Sequence, residues 1–216
     1  MITSPHEGEG KTLTAINLAL TMAREFSQTV LLVDADLRTQ TVHKYLGYMH
    51  PRGLTEYLEG DMPLSDVIVW PGVEKMTVIS GGRTVQGSTE MLTSPRMKAL
   101  VSEMKNRYED RYVLFDVPPV LNCSEAISFA HMVDAILLIV EEGRTTLEDV
   151  QRAINILPEE KLLGVALNRH QFEMKKRNDI NCNNPSCRVV SKIGGMFSSR
   201  RRESDYKKRR PADCAD

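Results

Sequence analysis

The chain has few cysteines and no long apolar run, and both shortages limit what it can be. Its four cysteines are too few and too scattered along 216 residues to form a disulfide framework. No apolar stretch approaches the roughly 20 residues that a membrane-spanning helix needs, and no secretory signal is visible. These absences predict a cytoplasmic domain rather than a secreted or membrane-spanning one.

Metal-ligand clusters and aromatic residues are scarce as well. Cys182 and Cys187 could supply half of a metal site, but no second Cys or His pair follows at zinc spacing, so incidental or structural thiols are predicted. Only Phe197 and Tyr206 are interleaved with the basic residues near the end of the chain. This pattern favours a solvated segment or a contact with anionic lipid over binding to nucleic acid.

The net charge of −1 conceals an uneven distribution. Residues 171–216 hold 12 Lys and Arg against 6 Asp and Glu, whereas residues 1–170 are acidic overall. The hydrophobic periodicity also fades after residue 171. We therefore predict a folded domain over residues 1–170 and a basic, flexible tail over residues 171–216.

A phosphate-binding loop is the clearest feature of what the sequence does contain. The stretch Ile2 to Asn17 reads ITSPHEGEGKTLTAIN, and Pro5 stands where the usual pattern begins with glycine. The glycines allow backbone N–H groups to approach phosphate, the lysine reaches the outer phosphates, and the threonine hydroxyl suits Mg²⁺. A plain turn before a helix would not need Lys and Thr at these positions. The predicted nucleotide-binding residues are Gly8, Glu9, Gly10, Lys11, Thr12 and Leu13.

Apolar runs alternate with helical patterns along the first 170 residues. The runs predict buried strands at 30–33, 76–79, 112–115, 135–140 and 162–167, after a first strand that we expect to be clipped. Apolar residues at helical spacing predict helices over 12–27, after Pro95, over 124–131 and over 145–157. This alternation indicates an α/β fold with a mainly parallel sheet flanked by helices.

Acidic residues follow two of the predicted strands. Asp34 and Asp36 follow one strand, and Asp116 follows another. Ligands bind at the carboxyl ends of strands in open α/β sheets, so these carboxylates are expected near Lys11. We expect Asp34 and Asp36 to diverge, so that Asp34 takes the metal or base role while Asp36 orients Arg38 or the loop. The alternative is a solvated acidic turn.

Three segments together, SPHEGEGKT, VLLVDADLR and YVLFDVPPV, resemble the Walker A, A′ and B motifs of the bacterial tyrosine kinases that regulate capsule and exopolysaccharide synthesis. The resemblance covers residues 1–170 and is strongest to the autokinase branch associated with exosortase systems. It implies a P-loop NTPase of the deviant Walker type, similar to MinD and ParA. It also implies ATP and Mg²⁺ as cofactors, a homo-oligomer, and a transmembrane chain-length regulator as partner at the inner membrane.

Carried over to this sequence, the resemblance implies a role for each matching residue. Lys11 is implied to bind phosphate, while Thr12, Asp34 and Asp116 are implied to hold Mg²⁺. Asp34 and Asp36 become the acidic pair of the A′ motif, one of them the base for a tyrosine hydroxyl. Asn168, after the last strand, resembles the residue beside adenine.

Tyrosine transfer and its alternatives depend on two further positions. The tail holds only Tyr206, which becomes the possible phosphate acceptor, where the family has a cluster of tyrosines. A switch ATPase of the ParA and MinD type would carry a signature lysine where this chain has His6. A nucleotide-binding regulatory module without kinase activity is the third alternative.

Overall fold

The computed structural model describes residues 1–25, 27–48, 52–84, 87–107 and 110–170. Tyr206, Cys182 and Cys187 lie outside the described residues, and the domain boundary at residue 170 stays a prediction. Among the residues described, no helix combines the length and the apolar composition that crossing a membrane requires.

A single seven-stranded sheet organises the described residues. Its strands are β1 (Ile2–Thr3), β2 (Thr29–Asp34), β3 (Ile68–Val69), β4 (Met76–Ile79), β5 (Arg111–Asp116), β6 (Ile136–Glu141) and β7 (Leu162–Asn168). Their order across the sheet is β3-β4-β2-β5-β1-β6-β7. All neighbours pair in parallel except β3 and β4, which are antiparallel. The predicted mainly parallel sheet is confirmed.

Helices cover both faces of this sheet. They are α1 (Lys11–Glu25), α2 (Val42–Leu46), α3 (Leu54–Glu59), α4 (Ser88–Met91), α5 (Pro95–Arg107), α6 (Ser124–Ala130) and α7 (Leu147–Ile156). One apolar cluster joins α1 and α2 to the sheet, and a second joins α3, α5, α6 and α7 to it. The burial of both faces explains why β2 and β6 read as continuous apolar runs.

The helix α5 shows how the apolar pattern fixes packing. Met97, Leu100, Val101 and Met104 recur at helical spacing, and each has at most 3% of its surface exposed. The helix begins at Pro95, whose fixed φ suits a first helical position. Ser94 Oγ accepts a hydrogen bond from Met97 N at 3.1 Å, which satisfies one of the free N–H groups at the helix start. The two methionines therefore fill the core.

Strand β1 is short and lies between two longer strands. Ile2 pairs with Asp116, the last residue of β5, and with Leu137 near the start of β6. An apolar cavity of about 690 Å³, lined in part by Leu114 and Val133, lies at the amino end of these strands. The loop that follows β1 begins at the opposite, carboxyl end. This cavity therefore lies away from the predicted phosphate site.

Candidate functional site

The loop between β1 and α1 depends on two glycines. Gly8 and Gly10 have φ angles of +81° and +91°, a region that residues with a side chain rarely adopt. A Cβ atom on Gly10 would also lie 2.1 Å from Nδ2 of Asn168. These two residues let the backbone turn with its N–H groups available for an anion, and α1 begins immediately after them.

Glu9 fixes this loop from inside the protein. Its side chain is buried, and Oε2 accepts a hydrogen bond from His6 N at 2.8 Å. Oε1 accepts a short hydrogen bond from the hydroxyl of Thr145. The amide Nδ2 of Asn168 donates to the Glu9 backbone oxygen at 2.8 Å. Asn168, which the resemblance places beside adenine, is therefore bonded to the phosphate loop itself.

Lys11 lies inside a cluster of carboxylates. Its Nζ is 2.6 Å from Oδ2 of Asp36 and 3.6 Å from Oδ1 of Asp116. Burial alone would lower the pKa of Lys11, but the charges of Asp116, Asp36 and Asp34 outweigh burial and raise it. The lysine is therefore charged, and its position is held by the strand ends.

Asp34 and Asp116 are neighbours across β2 and β5, and both are fully buried. Oδ2 of Asp34 accepts a hydrogen bond from Val42 N at 3.2 Å, whereas Oδ1 has no hydrogen-bond partner among the described residues. Neither oxygen of Asp116 has one there either. Burial, reinforced by Asp116, raises the pKa of Asp34 to about 8, and burial also raises the pKa of Asp116.

Asp36 corrects one expectation from the sequence. Asp34 and Asp36 were expected to diverge, yet both act on Lys11, because alternate residues of an extended chain lie on the same side. Oδ1 of Asp36 also accepts a hydrogen bond from Thr39 N at 3.1 Å. Burial opposes ionisation of Asp36, but Lys11 and Thr39 outweigh it and lower the pKa of Asp36. Asp36 is thus the ionised partner of the lysine.

Three other predicted residues occupy distinct positions. Thr12, in the first turn of α1, is buried with 8% of its surface exposed. Leu13, the next residue of α1, is 46% exposed. Arg38 is exposed, and the described residues show no ion pair between Arg38 and either Asp34 or Asp36.

The charges of the cluster fit a divalent cation together with a nucleotide. Three carboxylates face a single ammonium group, and the unbonded oxygens of Asp34 and Asp116 are acceptors for a cation. Within the part of the chain that the structure describes, no three His, Cys, Asp or Glu residues form a complete metal site. This combination suits Mg²⁺, which takes one or two carboxylates and completes its shell with phosphate and water.

The turn between β6 and α7 is a part of the site that the sequence did not reveal. Thr145 reaches Glu9 from this turn, and Arg144 Nη1 lies 2.9 Å from where a Cβ of Gly8 would be. The available signal was the polar run Glu141 to Thr146 directly after an apolar strand. Because 136 residues separate Thr145 from Glu9, no local pattern could have indicated the contact.

Several known proteins are similar to this chain in sequence or in fold. A family model described as an AAA domain matches residues 2–163. The tyrosine-protein kinase YwqD of Bacillus subtilis is 34% identical over 170 residues, which are 78% of this chain and 70% of that protein. The kinase domain of the Escherichia coli tyrosine kinase ETK superposes with a TM-score of 0.71 at 30% identity, covering 79% of this chain and 68% of that domain.

A septum-site-determining protein is similar in fold. MinD of Pyrococcus horikoshii, solved in complex with Mg-ADP, has a TM-score of 0.66 and 25% identity. The match covers 86% of this chain and 73% of MinD. The fold is therefore that of P-loop NTPases of the MinD and ParA type.

Proposed function

We propose, because this chain belongs to the family of bacterial tyrosine-protein kinases, that it transfers the terminal phosphoryl group of ATP to tyrosine hydroxyls, including its own. The observation that carries the proposal is the buried contact of the loop lysine, Lys11, with strand-end carboxylates. A P-loop nucleotide site needs a lysine for the outer phosphates and an acidic strand end for the metal. This chain has both within one cluster.

The residues present fit ATP and Mg²⁺. Gly8 and Gly10 shape the loop around phosphate, and Lys11 supplies the positive charge. Thr12, Asp34 and Asp116 would hold Mg²⁺. The two aspartates have carboxylate oxygens without a hydrogen-bond partner among the described residues, and these oxygens are available as metal ligands. When bound, Mg²⁺ neutralises charge on the phosphates and orients them.

Asp34 and Asp36 have different roles in this proposal. Asp36 positions Lys11, because its ion pair at 2.6 Å and its bond from Thr39 N fix both carboxylate oxygens. Asp34 keeps Oδ1 available and therefore takes the metal-side or proton-accepting role. In this proposal Asn168, at the end of β7, belongs to the nucleotide site because its side chain holds the backbone of the phosphate loop. Leu13 belongs to it as part of the first turn of α1.

The cellular role that we propose is control of capsule or exopolysaccharide polymerisation and export. It rests on the likeness of the three motifs to kinases of these systems, and we propose that the chain belongs to their exosortase-associated branch. In this setting the chain would form a homo-oligomer and act with a transmembrane chain-length regulator. Its basic tail would contact anionic lipid at the cytoplasmic face of the inner membrane.

The alternative of a switch ATPase of the MinD and ParA type rests on fold likeness. His6 occupies the position of the signature lysine, and its Nε2 lies 3.3 Å from Oδ2 of Asp149 in α7. A short side chain held at α7 does not suit a role of reaching across a dimer to another subunit's phosphates. This position favours the kinase.

The test of the proposal is the substitution Lys11→Met. It should abolish tyrosine phosphorylation and weaken ATP binding, because the loop loses the ammonium that contacts phosphate. Purified protein is incubated with ATP and Mg²⁺, and phosphotyrosine is measured by mass spectrometry alongside calorimetric ATP binding. Lys98→Met, on the exposed face of α5, is the matched control.

Two outcomes would contradict the proposal. Unchanged ATP affinity in the Lys11→Met protein would remove the loop from the mechanism. ATP binding without phosphotyrosine in the unmodified chain would instead favour the nucleotide-binding regulatory module, and ATP hydrolysis without phosphotyrosine would favour the switch ATPase.

A further inference from the structure

The turn between β6 and α7 places an arginine on the phosphate loop. Nη1 of Arg144 lies 2.9 Å, and its Cζ 3.8 Å, from the position that a Cβ atom on Gly8 would take. The guanidinium group therefore covers the open face of a glycine whose φ of +81° turns the loop. A neutral side chain would serve equally well if covering the glycine were the only requirement.

The same turn is joined to the loop by a partly buried hydrogen bond. The Thr145 hydroxyl donates to the buried carboxylate of Glu9 and accepts a hydrogen bond from Glu141 N at 2.9 Å. Because Thr145 is adjacent to Arg144, the arginine backbone is fixed relative to the loop. Its long side chain, just over half exposed, keeps freedom to move at the solvent side.

Arg144 shares its carboxylate partner with a second guanidinium group. Nη1 of Arg144 is 3.2 Å from Oε2 of Glu141, but the other oxygen, Oε1, lies only 2.6 Å from Nη1 of Arg169. One carboxylate thus serves two guanidinium groups. If Arg144 moved away, Glu141 would keep its shorter ion pair. Within the loop, the carboxylate of Glu9 is already bonded to His6 N and Thr145.

We propose that Arg144 is a second phosphate-binding residue, which leaves Glu141 when a nucleotide binds and donates to phosphate oxygens from the solvent side of the loop. The inference rests on the proposed nucleotide site and adds a residue to it. Lys11 is buried and engaged with Asp36, so it provides a point charge from within. A guanidinium fork provides paired hydrogen bonds that match the geometry of phosphate.

The test compares nucleotides that differ in phosphate number. Arg144→Gln should weaken ATP binding about ten-fold, because a charge-assisted hydrogen bond is lost. The loss should be smaller for ADP and absent for adenosine. Arg144→Lys should restore part of the affinity, since it returns the charge without the fork. Affinities are measured calorimetrically, and Arg24→Gln, an exposed arginine in the last turn of α1, is the matched control.

A second variant should change ATP affinity in the opposite direction. Glu141→Gln releases Arg144 and removes a competing anion, so ATP should bind more tightly. If Arg144 only braced the turn, the same variant would loosen it and weaken binding. The proposal is overturned if Arg144→Gln leaves ATP affinity unchanged, lowers adenosine and ATP affinity equally, or matches Arg24→Gln.

These readouts separate this inference from the kinase assignment. Binding is measured directly, so an Arg144-dependent preference for ATP supports the inference even in a preparation without tyrosine phosphorylation, which would count against the kinase alone. Tyrosine phosphorylation with ATP affinity that is indifferent to Arg144 would leave the kinase standing and remove the inference.

Discussion

At the scale of single residues, the buried carboxylates of the site are electrostatically unfavourable for the stability of the fold. Asp34 and Asp116 lie side by side at strand ends with almost no access to water, and one lysine faces both of them. Isolated buried carboxylates destabilise a fold, and here the adjacent pair resists double ionisation. A bound cation would offset the repulsion between the two carboxylates. In the absence of metal, the pair should make the unfolding free energy depend on pH.

The first prediction concerns pH. The pKa of Asp34 rises from 3.8 to about 8, so between these values the folded protein holds a proton that the unfolded chain has released. The unfolding free energy should therefore fall as the pH rises through this window. Urea titrations in EDTA at several pH values measure it. Asp34→Asn should flatten the dependence and keep the hydrogen bond from Val42 N, and an unaltered dependence would contradict the raised pKa.

Gly10 provides a prediction with a built-in comparison. Gly10→Ala adds a Cβ atom that would lie 2.1 Å from Nδ2 of Asn168, at a φ of +91°. Gly72→Ala imposes a similar φ of +83° with nothing within 4 Å. Thermal unfolding and ATP titration of both variants should show a loss of about 1 kcal/mol from backbone strain in each. Only Gly10→Ala should lose ATP binding, and equal ATP affinity in the two variants would contradict the tight contact.

At the scale of elements, the apolar runs predicted the central strands well. The prediction of β4 at 76–79 matches Met76–Ile79, and the prediction of β5 at 112–115 differs from Arg111–Asp116 by one residue at each end. The residues of β4 are buried or half-buried, and those at the carboxyl end of β5 are buried, which favours apolar residues at these positions. The carboxyl ends of β2 and β5 then located Asp34 and Asp116 correctly at one edge of the sheet.

Two short elements were missed for a physical reason. β3 contains two residues and pairs antiparallel with β4 at the sheet edge, and α4 contains four residues. Neither is long enough to show a period, so both are determined by tertiary contacts. The contacts of Glu9 with Thr145 and Asn168 were missed likewise, because they join residues that only the folded sheet brings together.

The start of α7 yields a prediction for one element. Thr146 Oγ1 accepts a hydrogen bond from Asp149 N at 3.1 Å and caps the helix. Thr146→Ala should lower the unfolding free energy by about 1 kcal/mol, because the N–H group of Asp149 loses its hydrogen-bond partner at the helix start. Urea unfolding measures the change, and Thr146→Ser should restore most of it. A stability equal to that of the unmodified chain would show that the cap contributes nothing.

At the scale of the whole molecule, the proposed chemistry needs two copies of the chain. Tyr206 is the single tyrosine in residues 171–216 and lies among acidic and basic residues. We predict that a neighbouring subunit phosphorylates it. A Lys11→Met chain that retains Tyr206 is mixed with an active Tyr206→Phe chain, ATP and Mg²⁺, and phosphotyrosine is mapped by mass spectrometry. Phosphate on Tyr206 of the inactive chain is the expected result.

Phosphorylation would give this tyrosine a charge of about −1.5 to −2 within a basic segment, which weakens attraction to anionic lipid. The control is the Lys11→Met chain alone, which should stay unmodified. Phosphate confined to Tyr45, Tyr48 or Tyr57 of the active chain would contradict transfer to the tail.

The hydrogen bond from Asn168 to Glu9 joins residues 159 positions apart in the chain. During synthesis the loop emerges from the ribosome before the strand that holds it in place. At the usual elongation rate the interval is roughly 10 to 30 s. Nascent chains that already expose Lys11 should therefore bind nucleotide only weakly until β7 has joined the sheet. Competence for ATP would be acquired only after β7 has formed, so shorter nascent chains would neither consume ATP nor modify their neighbours.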